Sequence, residues 1–429
     1  MRDRRPALAA LFTLGCGSGA STPEPTPEPA PEVAPSTTAG TEHSTASTEA
    51  CPPELVAPEG PLVPVPGELY YEQIYVGGLT LGEAAVVVGP DGSRVLLDVG
   101  NDAHDDDVMA ALEQVAAALD AQGLGPVDPT LVDHVLITHL HADHVDGFDD
   151  LSSQITVRGR LVHRGLVDLT LANDGAVDTL CDYASEHPGT ELALCAAAQP
   201  VPCDAASRAG AYPAVACEEA SLPLGDATLQ VWASNGFLDG GSMEAASGPF
   251  RDDDSNGENA RSLVGVLSHG AFRLLFAGDL TGGGSDTDDV ESFYAPGLTV
   301  RLGPLGVDVL HLGHHGRDTS SSGPWLEALL PADGADRNAV IGISPAHLGS
   351  PHAEVIDAVL GAGRLGAGKA WATTVALGGA RHDDLIAPGD GSVRVRTVQG
   401  GHGYAVQWVG LDGSVADTRV FPSVRACAE

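Results

Sequence analysis

The sequence predicts a mixed α+β/α/β fold in which mixed β-sheets are covered by helices. Two observations lead to this fold class. The first is an early hairpin, because the apolar runs 84–89 and 93–100 flank the turn residues Pro90-Asp91-Gly92. The second is a later alternation of strand-like and helix-like segments, which is typical of strands connected by helices. Antiparallel pairing early and alternation later together indicate mixed sheets.

The remaining elements follow from the same patterns in chain order. Residues 107–122 have helical periodicity, and the helix is expected to end at Gly123. The apolar run 131–137 predicts a buried strand. Further along, we expect a hairpin around His269-Gly270. The later strands are expected at 227–232, 262–267, 272–277, 307–312 and 340–344, and the later helices at 325–330 and 353–360.

Directly after the apolar run 131–137 comes a group of residues that commonly bind metals: His139, His141, Asp143 and His144. Buried imidazoles need partners, and so dense a group is difficult to satisfy without a cation. Imidazole with carboxylate suits zinc, with manganese or iron as alternatives. An accidental cluster on an exposed loop is the other explanation, but it fits poorly with the preceding strand.

The orientation of these side chains can also be predicted. In an extended segment His139, His141 and Asp143 point to the same side. His144 joins them only if the chain bends after it, which Gly147 would permit.

The N-terminus has the features of an export signal. A basic start is followed by an apolar stretch from Pro6 to Leu14 and by Gly15-Cys16. The segment resembles a bacterial lipoprotein signal, although it lacks the usual leucine three residues before the cysteine. We expect residues 1–16 to be a signal peptide ending at a lipidated Cys16, which predicts an exported, membrane-anchored lipoprotein of the cell envelope. Simple secretion is the alternative, and no later apolar run is long enough to cross a bilayer.

Residues 17–66 are rich in Pro, Thr, Ser and Glu and contain almost no large apolar side chains. This composition buries too little surface to offset its ordering entropy, so we expect a disordered tether. Residues 67–429 are then the folded domain, with a cysteine-containing insertion around residues 165–225.

The chain has seven cysteines. If Cys16 carries a lipid, an even number remains, which predicts disulfides in an exported chain. A zinc ribbon is disfavoured because no two of them form a close Cys-x-x-Cys pair. Four are expected to staple the insertion and two to join the ends of the domain: Cys181, Cys195, Cys203 and Cys217, and Cys51 with Cys427.

The ligand motif and its surroundings resemble the metallo-β-lactamase superfamily. The hallmark of that superfamily is a strand ending in Thr-His-x-His-x-Asp-His, after a hairpin that ends in Asp-x-Gly, here residues 138–144 and 98–100. More narrowly, the chain resembles the soluble metallo-hydrolase domain of ComEC-type competence proteins. This resemblance covers about Glu68 to Val409 and includes the blocks Asn259–Val264, Leu275–Asp279, Val307–Leu310 with His314-His315-Gly316, and Ile343-Ser344 with Ser350-Pro351-His352.

The resemblance implies a four-layer αβ/βα sandwich with two divalent metal ions, Zn²⁺ or alternatively Mn²⁺, in the cleft between two sheets. It assigns His139 and His141 to one ion, and Asp143 and His144 to the second. Asp279 would bridge both ions.

The resemblance also implies the rest of the site. His314 or His315 would complete the second metal site, and Asp143 and His352 would act in catalysis, with His352 contacting substrate or assisting the leaving group. Many superfamily members add a third histidine to the first site. Here either Asn259 or His163 stands in for it, and the sequence leaves the choice open.

The predicted function is therefore that of an exported metal-dependent hydrolase, in which a metal-bound hydroxide attacks a phosphodiester or related ester. A lactone- or lactam-type substrate is one alternative, and a non-catalytic surface protein with a degenerate metal site is another. The expected partners are a small-molecule or phosphodiester substrate and, only through the lipid anchor, a membrane. The formal charge of −38, from 59 acidic and 21 basic residues, disfavours tight nucleic-acid binding.

Overall fold

A computed structural model describes residues 55–164, 174–187, 191–194, 197–200, 220–238, 241–242 and 256–426. The predicted signal peptide, most of the predicted tether and parts of the insertion lie outside these residues. So do six of the seven cysteines. Cys181 is buried and disulfide-bonded, and the pairing pattern of the others stays a prediction.

Two mixed β-sheets form the centre of the domain. Ten described strands make the first sheet, in which the strands from β3 to β6 are parallel and the other neighbours antiparallel. Its spatial order is β20 (Val415–Pro422), β19 (Gly403–Gly410), β18 (Gly391–Val398), β1 (Tyr70–Ile74), β2 (Ala84–Val88), β3 (Arg94–Val99), β4 (Leu131–Ile137), β5 (Thr156–His163), β6 (Glu191–Leu194) and β7 (Ala197–Pro200).

The second sheet has eight described strands, parallel from β13 to β17 and antiparallel elsewhere. Its order is β17 (Leu385–Ile386), β16 (Ala370–Ala372), β15 (Asn338–Ile341), β14 (Val309–His311), β13 (Phe272–Phe276), β12 (Val264–His269), β9 (Ala227–Ala233) and β8 (Ala220–Leu224). A separate short pair consists of β10 (Phe237–Leu238) and β11 (Gly241–Ser242).

Helices cover the outer faces of both sheets, and none of the described helices is long and apolar enough to cross a membrane. They are α1 (Asp105–Ala121), α2 (Ala142–Val145), α3 (Gly147–Ser152), α4 (Asp174–Glu186), α5 (Asn256–Asn259), α6 (Val290–Leu302), α7 (Gly323–Leu329) and α8 (Ala353–Leu360).

Alternate residues of the central strands face different layers. In β2, Val86 packs with residues of α1, whereas Val87 packs in a cluster that joins the two sheets. In β12, Leu267 belongs to that same central cluster, whereas Val266 packs with residues of α6 and α7 on the other side. Helices therefore flank a pair of facing sheets, and the predicted four-layer αβ/βα sandwich is confirmed.

The predicted elements lie within a few residues of observed ones, but several observed elements had no prediction, among them β18, β19, β20 and α6. The strand predicted at 340–344 runs over Asn338–Ile341 instead. It ends before Gly342, where a Cβ atom would lie 2.5 Å from the Gln73 side chain. The edge strand β20 was not predicted because its side chains are mostly exposed or half-buried and lack an apolar pattern.

The same ends of neighbouring strands bring the ligand-type residues together. The loop after β4 carries the motif at 138–144, and the parallel strand β3 ends beside it at Val99. In the second sheet, the loops after β13 and β14 carry Asp279 and the 3-10 turn His314–Gly316. The candidate site therefore lies where loops from both sheets meet.

Candidate metal centre

Two buried carboxylates hold the loop that follows β4. The Thr138 amide and hydroxyl donate hydrogen bonds to the two oxygens of Asp98, each at 2.7 Å. The Leu140 amide donates to Glu258 at 2.8 Å, and Glu258 is itself paired with the buried Arg164 guanidinium. The backbone between these anchors is fixed, so the histidines on either side of Leu140 have defined positions.

His139 and His141 face each other across this loop. Their ring nitrogens, His139 Nε2 and His141 Nδ1, are 3.2 Å apart. Two imidazoles bound to one zinc ion at 2.0–2.1 Å in a tetrahedral arrangement have nitrogens about 3.3 Å apart. The spacing of this pair fits two ligands of one cation, and it equally fits a direct hydrogen bond between the two rings.

The chain leaves the extended conformation earlier than the sequence predicted. His141 is the last extended residue, and helix α2 begins at Ala142. The prediction that Asp143 points to the same side as His139 in a continuous extended segment is therefore wrong. The helical turn, rather than a bend at Gly147, carries Asp143 and His144 inward.

Asp279 is the central carboxylate of the site. It follows Gly278, whose φ of 49° and close approach to Thr138 leave no room for a Cβ atom. Its oxygens lie 3.4–3.9 Å from the Nε2 atoms of four histidines: His144, His315, His314 and His139. The structure therefore brings the predicted bridging residue between the two predicted pairs.

His314 and His315 both turn toward Asp279, because the backbone of each has a positive φ, 51° and 53°. His315 Nε2 lies 3.6 Å from Asp279 and 3.4 Å from Asp143. His314 Nδ1 contacts the Thr319 hydroxyl, and its Nε2 lies 3.7 Å from Asp279. The sequence left the choice between them open, and the structure places both beside Asp279.

Other predicted residues are placed differently. Asn259 lies beside His314, with its amide nitrogen 3.4 Å from His314 Nε2. His163 ends β5 next to Ile137, and burial followed by the Arg164 charge lowers its pKa to about 3. His352 is partly exposed and lies 3.2 Å from Asp318, outside the group around Asp279.

Three residues in or beside the site had no assignment from sequence. Glu83 contacts His315 Nδ1 at 2.9 Å and His311 Nε2 at 2.7 Å. His347 Nε2 lies 3.6 Å from Asp143. None of them belongs to the motif, and only the position of His347 between Ser344 and the Pro-His block could have drawn attention to it.

The charges of the site stabilise one another. Burial raises the pKa of Asp279, but His144 and His315 outweigh burial and bring the pKa well below its usual range. Burial lowers the pKa of His315, yet Asp279, Asp143 and Glu83 raise it to about 10. The carboxylates therefore create a buried environment that favours positive charge.

Several buried atoms in this environment lack hydrogen-bond partners. Within the described part of the chain, His144 Nε2, His315 Nε2 and Asp279 Oδ1 make no hydrogen bond. Buried polar atoms normally have a partner, so these atoms need another one. Two groups at the site could each hold a cation, because the ligand atoms within each group lie within 4.8 Å of one another: Glu83, His144, Asp279 and His315, and Asp143, His315 and His347. Nitrogen and carboxylate oxygen donors in this arrangement fit zinc or a similar divalent metal.

Among solved structures, the chain is similar to a metallo-β-lactamase from Cronobacter sakazakii (Enterobacter sakazakii), a HARLDQ motif mutant, with 18% identity, TM-score 0.27 and coverage of 60% of this chain and 81% of that one. It is also similar to Zn(2+)-bound PqqB from Methylobacterium extorquens, with 11% identity, TM-score 0.31 and coverage of 63% and 88%. No curated protein matches the chain.

One family model matches part of the chain. Residues 80–171 match the model described as the metallo-beta-lactamase superfamily. The matched segment contains Asp98 and the motif at 138–144, which are the residues that build one side of the candidate metal centre. The match shows that this segment is similar to the metallo-beta-lactamase superfamily, and the two mixed sheets flanked by helices are consistent with that fold.

Proposed function

We propose that this domain is a metal-dependent hydrolase that cleaves a phosphodiester or a related ester. One observation supports the proposal most directly: imidazole nitrogens from loops of both sheets surround the buried Asp279 carboxylate at 3.4–3.9 Å. These separations suit ligands that share cations. Proteins of the matched superfamily are in general metal-dependent hydrolases, which favours hydrolysis over simple storage of metal.

The chain's own residues would divide the work. Asp98 accepts a hydrogen bond from His144 Nδ1 at 2.9 Å, and Glu83 lies 2.9 Å from His315 Nδ1. Protons on these Nδ1 atoms leave the Nε2 lone pairs free to bind metal. Bound divalent cations supply Lewis acidity, which lowers the pKa of water and stabilises charge on the reacting oxygens. The proposed ligands are His139, His141, Asp143, His144, Asp279, His314 and His315.

Arg317 favours an anionic substrate. It directly follows the turn His314–Gly316, and its charge contributes, after burial, to a His314 pKa of about 4. Its Nε atom makes no hydrogen bond within the described residues. We expect Arg317→Gln to raise KM for the anion bis-p-nitrophenyl phosphate about tenfold, a typical loss for a hydrogen bond to a charged group. Turnover of the neutral ester p-nitrophenyl acetate should stay unchanged, and an equal loss for both esters would contradict this assignment.

The resemblance to ComEC-type domains supports a phosphodiester over a lactone or a β-lactam. This resemblance rests on the sequence blocks between Asn259 and His352, whereas the family match is to the superfamily as a whole. The net charge of −38 favours a small phosphodiester over a long nucleic acid, because affinity for nucleic acid depends on basic residues at phosphates.

We also propose that the domain acts outside the cytoplasm. The support is in the sequence alone: the signal-like residues 1–16, the acceptor Cys16 and the Pro-rich segment 17–66. The membrane would then be a partner only through the lipid on Cys16. Radiolabelled palmitate incorporation that is lost in Cys16→Ser would test this, and unlabelled wild-type protein in the culture medium would support simple secretion instead.

The central experiment measures metal and turnover on the same protein. Purified wild-type protein should hold close to two divalent ions and hydrolyse bis-p-nitrophenyl phosphate. Chelation should abolish turnover, and zinc or manganese should restore it. His141→Ala should lose activity. The matched control is His134→Asn, which should retain activity, because His134 lies earlier in β4 and its Nδ1 accepts a hydrogen bond from the Arg160 amide at 3.0 Å.

The outcomes separate the alternatives. Turnover of a lactone or a β-lactam without turnover of the phosphodiester would indicate a lactonase or lactamase. Two bound ions with no turnover of any ester, lactone or lactam would favour a non-catalytic binding protein. Full activity in excess chelator would exclude the metal-dependent mechanism.

A further inference from the structure

His347 differs from the other histidines of the site in the atom that receives a hydrogen bond. Its Nδ1 atom accepts a hydrogen bond from the Ser344 amide at 2.9 Å. The Ser344 hydroxyl also lies 3.1 Å from Nδ1. An amide N–H can only donate, so Nδ1 carries a lone pair and the ring hydrogen must be on Nε2.

His144 and His315 have the opposite arrangement. His144 Nδ1 lies 2.9 Å from the Asp98 carboxylate, and His315 Nδ1 lies 3.0 Å from the Gly342 carbonyl. Carboxylate and carbonyl oxygens accept hydrogen bonds, so here Nδ1 carries a hydrogen and Nε2 is the nitrogen left to bind a cation. These two rings can bind metal through Nε2, whereas the His347 ring presents an N–H.

The Nε2 atom of His347 lies near the Asp143 carboxylate. His347 Nε2 lies 3.6 Å from Asp143 Oδ2, and the ring is held by stacking on His315 with centroids 3.6 Å apart. The side chain is buried, with 1% of its surface exposed, and Nε2 makes no hydrogen bond within the described residues. A buried N–H needs an acceptor, and the Asp143 carboxylate is the acceptor within reach of a small movement.

We propose that His347 is a positioning residue that donates its Nε2–H to Asp143 and does not bind metal. The inference deepens the proposed function and rests on Asp143 being a metal ligand. One lone pair of Asp143 Oδ2 accepts from His347, and the other faces the position next to His315 Nε2, 3.4 Å away. The hydrogen bond thus selects which oxygen and which direction Asp143 offers to a cation.

The first test needs no metal. In chelator-treated wild-type protein with ¹⁵N-labelled histidine, long-range ¹H–¹⁵N correlation spectra should show His347 as the Nε2–H tautomer and His144 and His315 as carrying hydrogen on Nδ1. The missing signals of His347→Gln assign the ring. An Nδ1–H tautomer for His347 would overturn the proposal, whatever the protein binds.

The second test uses substitutions. His347→Gln keeps an N–H donor near the Nε2 position, so two zinc ions should remain bound, with affinity and kcat within about threefold of wild type. His347→Ala should keep two ions at saturating zinc but bind them 10–100-fold more weakly, as for other groups behind metal ligands. His315→Gln is the matched control and should lose one ion.

These results are distinguishable from failure of the proposed function. If wild-type protein binds no zinc, the hydrolase proposal fails, but the tautomer measurement still decides the state of His347. If His347→Gln loses one ion while wild type binds two, His347 is a ligand and the inference is wrong. Zinc competition with a chromophoric chelator measures both affinities without an activity assay.

Discussion

Two groups of side chains in this molecule have similar composition but different surroundings. The inner cluster consists of Glu83, His144, Asp279 and His315, and the rim cluster of Asp318, His352 and Glu354. In both, the potential ligand atoms lie within 4.8 Å of one another. The inner side chains are 0–6% exposed, whereas those of the rim cluster are 29–65% exposed.

Solvent access decides what each cluster needs. Water can hydrate the rim cluster, and exposed ion pairs such as His352 with Asp318 contribute only about 0–1 kcal/mol to stability. The inner cluster is buried from bulk solvent, and its His144 Nε2 and Asp279 Oδ1 atoms have no hydrogen bond within the described residues. Residue type alone therefore does not define a metal site. A metal site is indicated by buried donor atoms that converge on one point and lack hydrogen-bond partners.

The largest expected effect comes from removing the central carboxylate. Asp279→Ala leaves four histidine nitrogens without their shared anion, so the affinity for both ions should fall together. Turnover should fall by more than about 100-fold, which exceeds the effect typical of residues that only hydrogen-bond to metal ligands. Asp318→Ala is the matched control in the rim cluster and should retain two ions. Metal analysis after gel filtration decides this. Two ions retained in Asp279→Ala at wild-type affinity would remove Asp279 from the bridging position.

The next effect should come from Glu83, the member of the inner cluster that contacts His315 at Nδ1 and not at Nε2. Glu83→Gln removes the charge that faces His315 Nδ1 at 2.9 Å and His311 Nε2 at 2.7 Å. We expect zinc affinity to fall 10–100-fold while stoichiometry at saturating zinc is unchanged. Glu354→Gln is the control and should leave zinc affinity as in wild type. Loss of one ion at saturation would instead make Glu83 a ligand.

A third prediction separates the effect of burial on a histidine pKa from the effect of nearby carboxylates. His163 is as buried as His315, but its pKa is lowered to about 3, whereas that of His315 is raised to about 10. Below pH 6.5 the unfolded chain binds a proton at His163 and the folded protein does not, so stability falls as the pH decreases from about 6.5 to 3.

This contribution can be measured by urea unfolding. Between pH 6.5 and 5, wild-type protein should lose about 1.7 kcal/mol more stability than His163→Asn, because the slope rises from about 0.7 to about 1.3 kcal/mol per pH unit over this range. The difference in slope is the readout, so a general destabilisation of the variant does not affect it. Equal slopes would mean that His163 titrates normally in the folded protein.

The sequence predicted one side of the site better than the other. His139, His141, Asp143 and His144 are close in the chain and follow a recognisable strand, so local pattern was enough to group them. Asp279 was assigned through its place in the order of the family's sequence blocks, because an aspartate after a strand and a glycine is common by itself. Even here the local geometry was wrong, because the helical turn beginning at Ala142 was not expected.

The residues that support the site could not be predicted in this way. Glu83 immediately precedes β2 of the first sheet. It contacts His315, on a loop of the second sheet, only because the two sheets face each other across the central core. The role of His347 depends on a hydrogen bond from the Ser344 amide, which has no sequence signature. Contacts between sheets and the direction of a hydrogen bond are properties of the tertiary structure.

The smallest effect is expected at His352, the only predicted catalytic residue that lies in the rim cluster. Its amide donates to the Gly316 carbonyl at 2.9 Å, so its backbone abuts the turn that carries His315, but its ring pairs with Asp318. A ring in this position can contact bound substrate without holding metal. His352→Ala should therefore keep two ions and raise KM for bis-p-nitrophenyl phosphate by less than about tenfold, the loss of one hydrogen bond, with kcat nearly unchanged. A large fall in kcat with unchanged KM would instead place His352 at the leaving group and would narrow the difference between the two clusters.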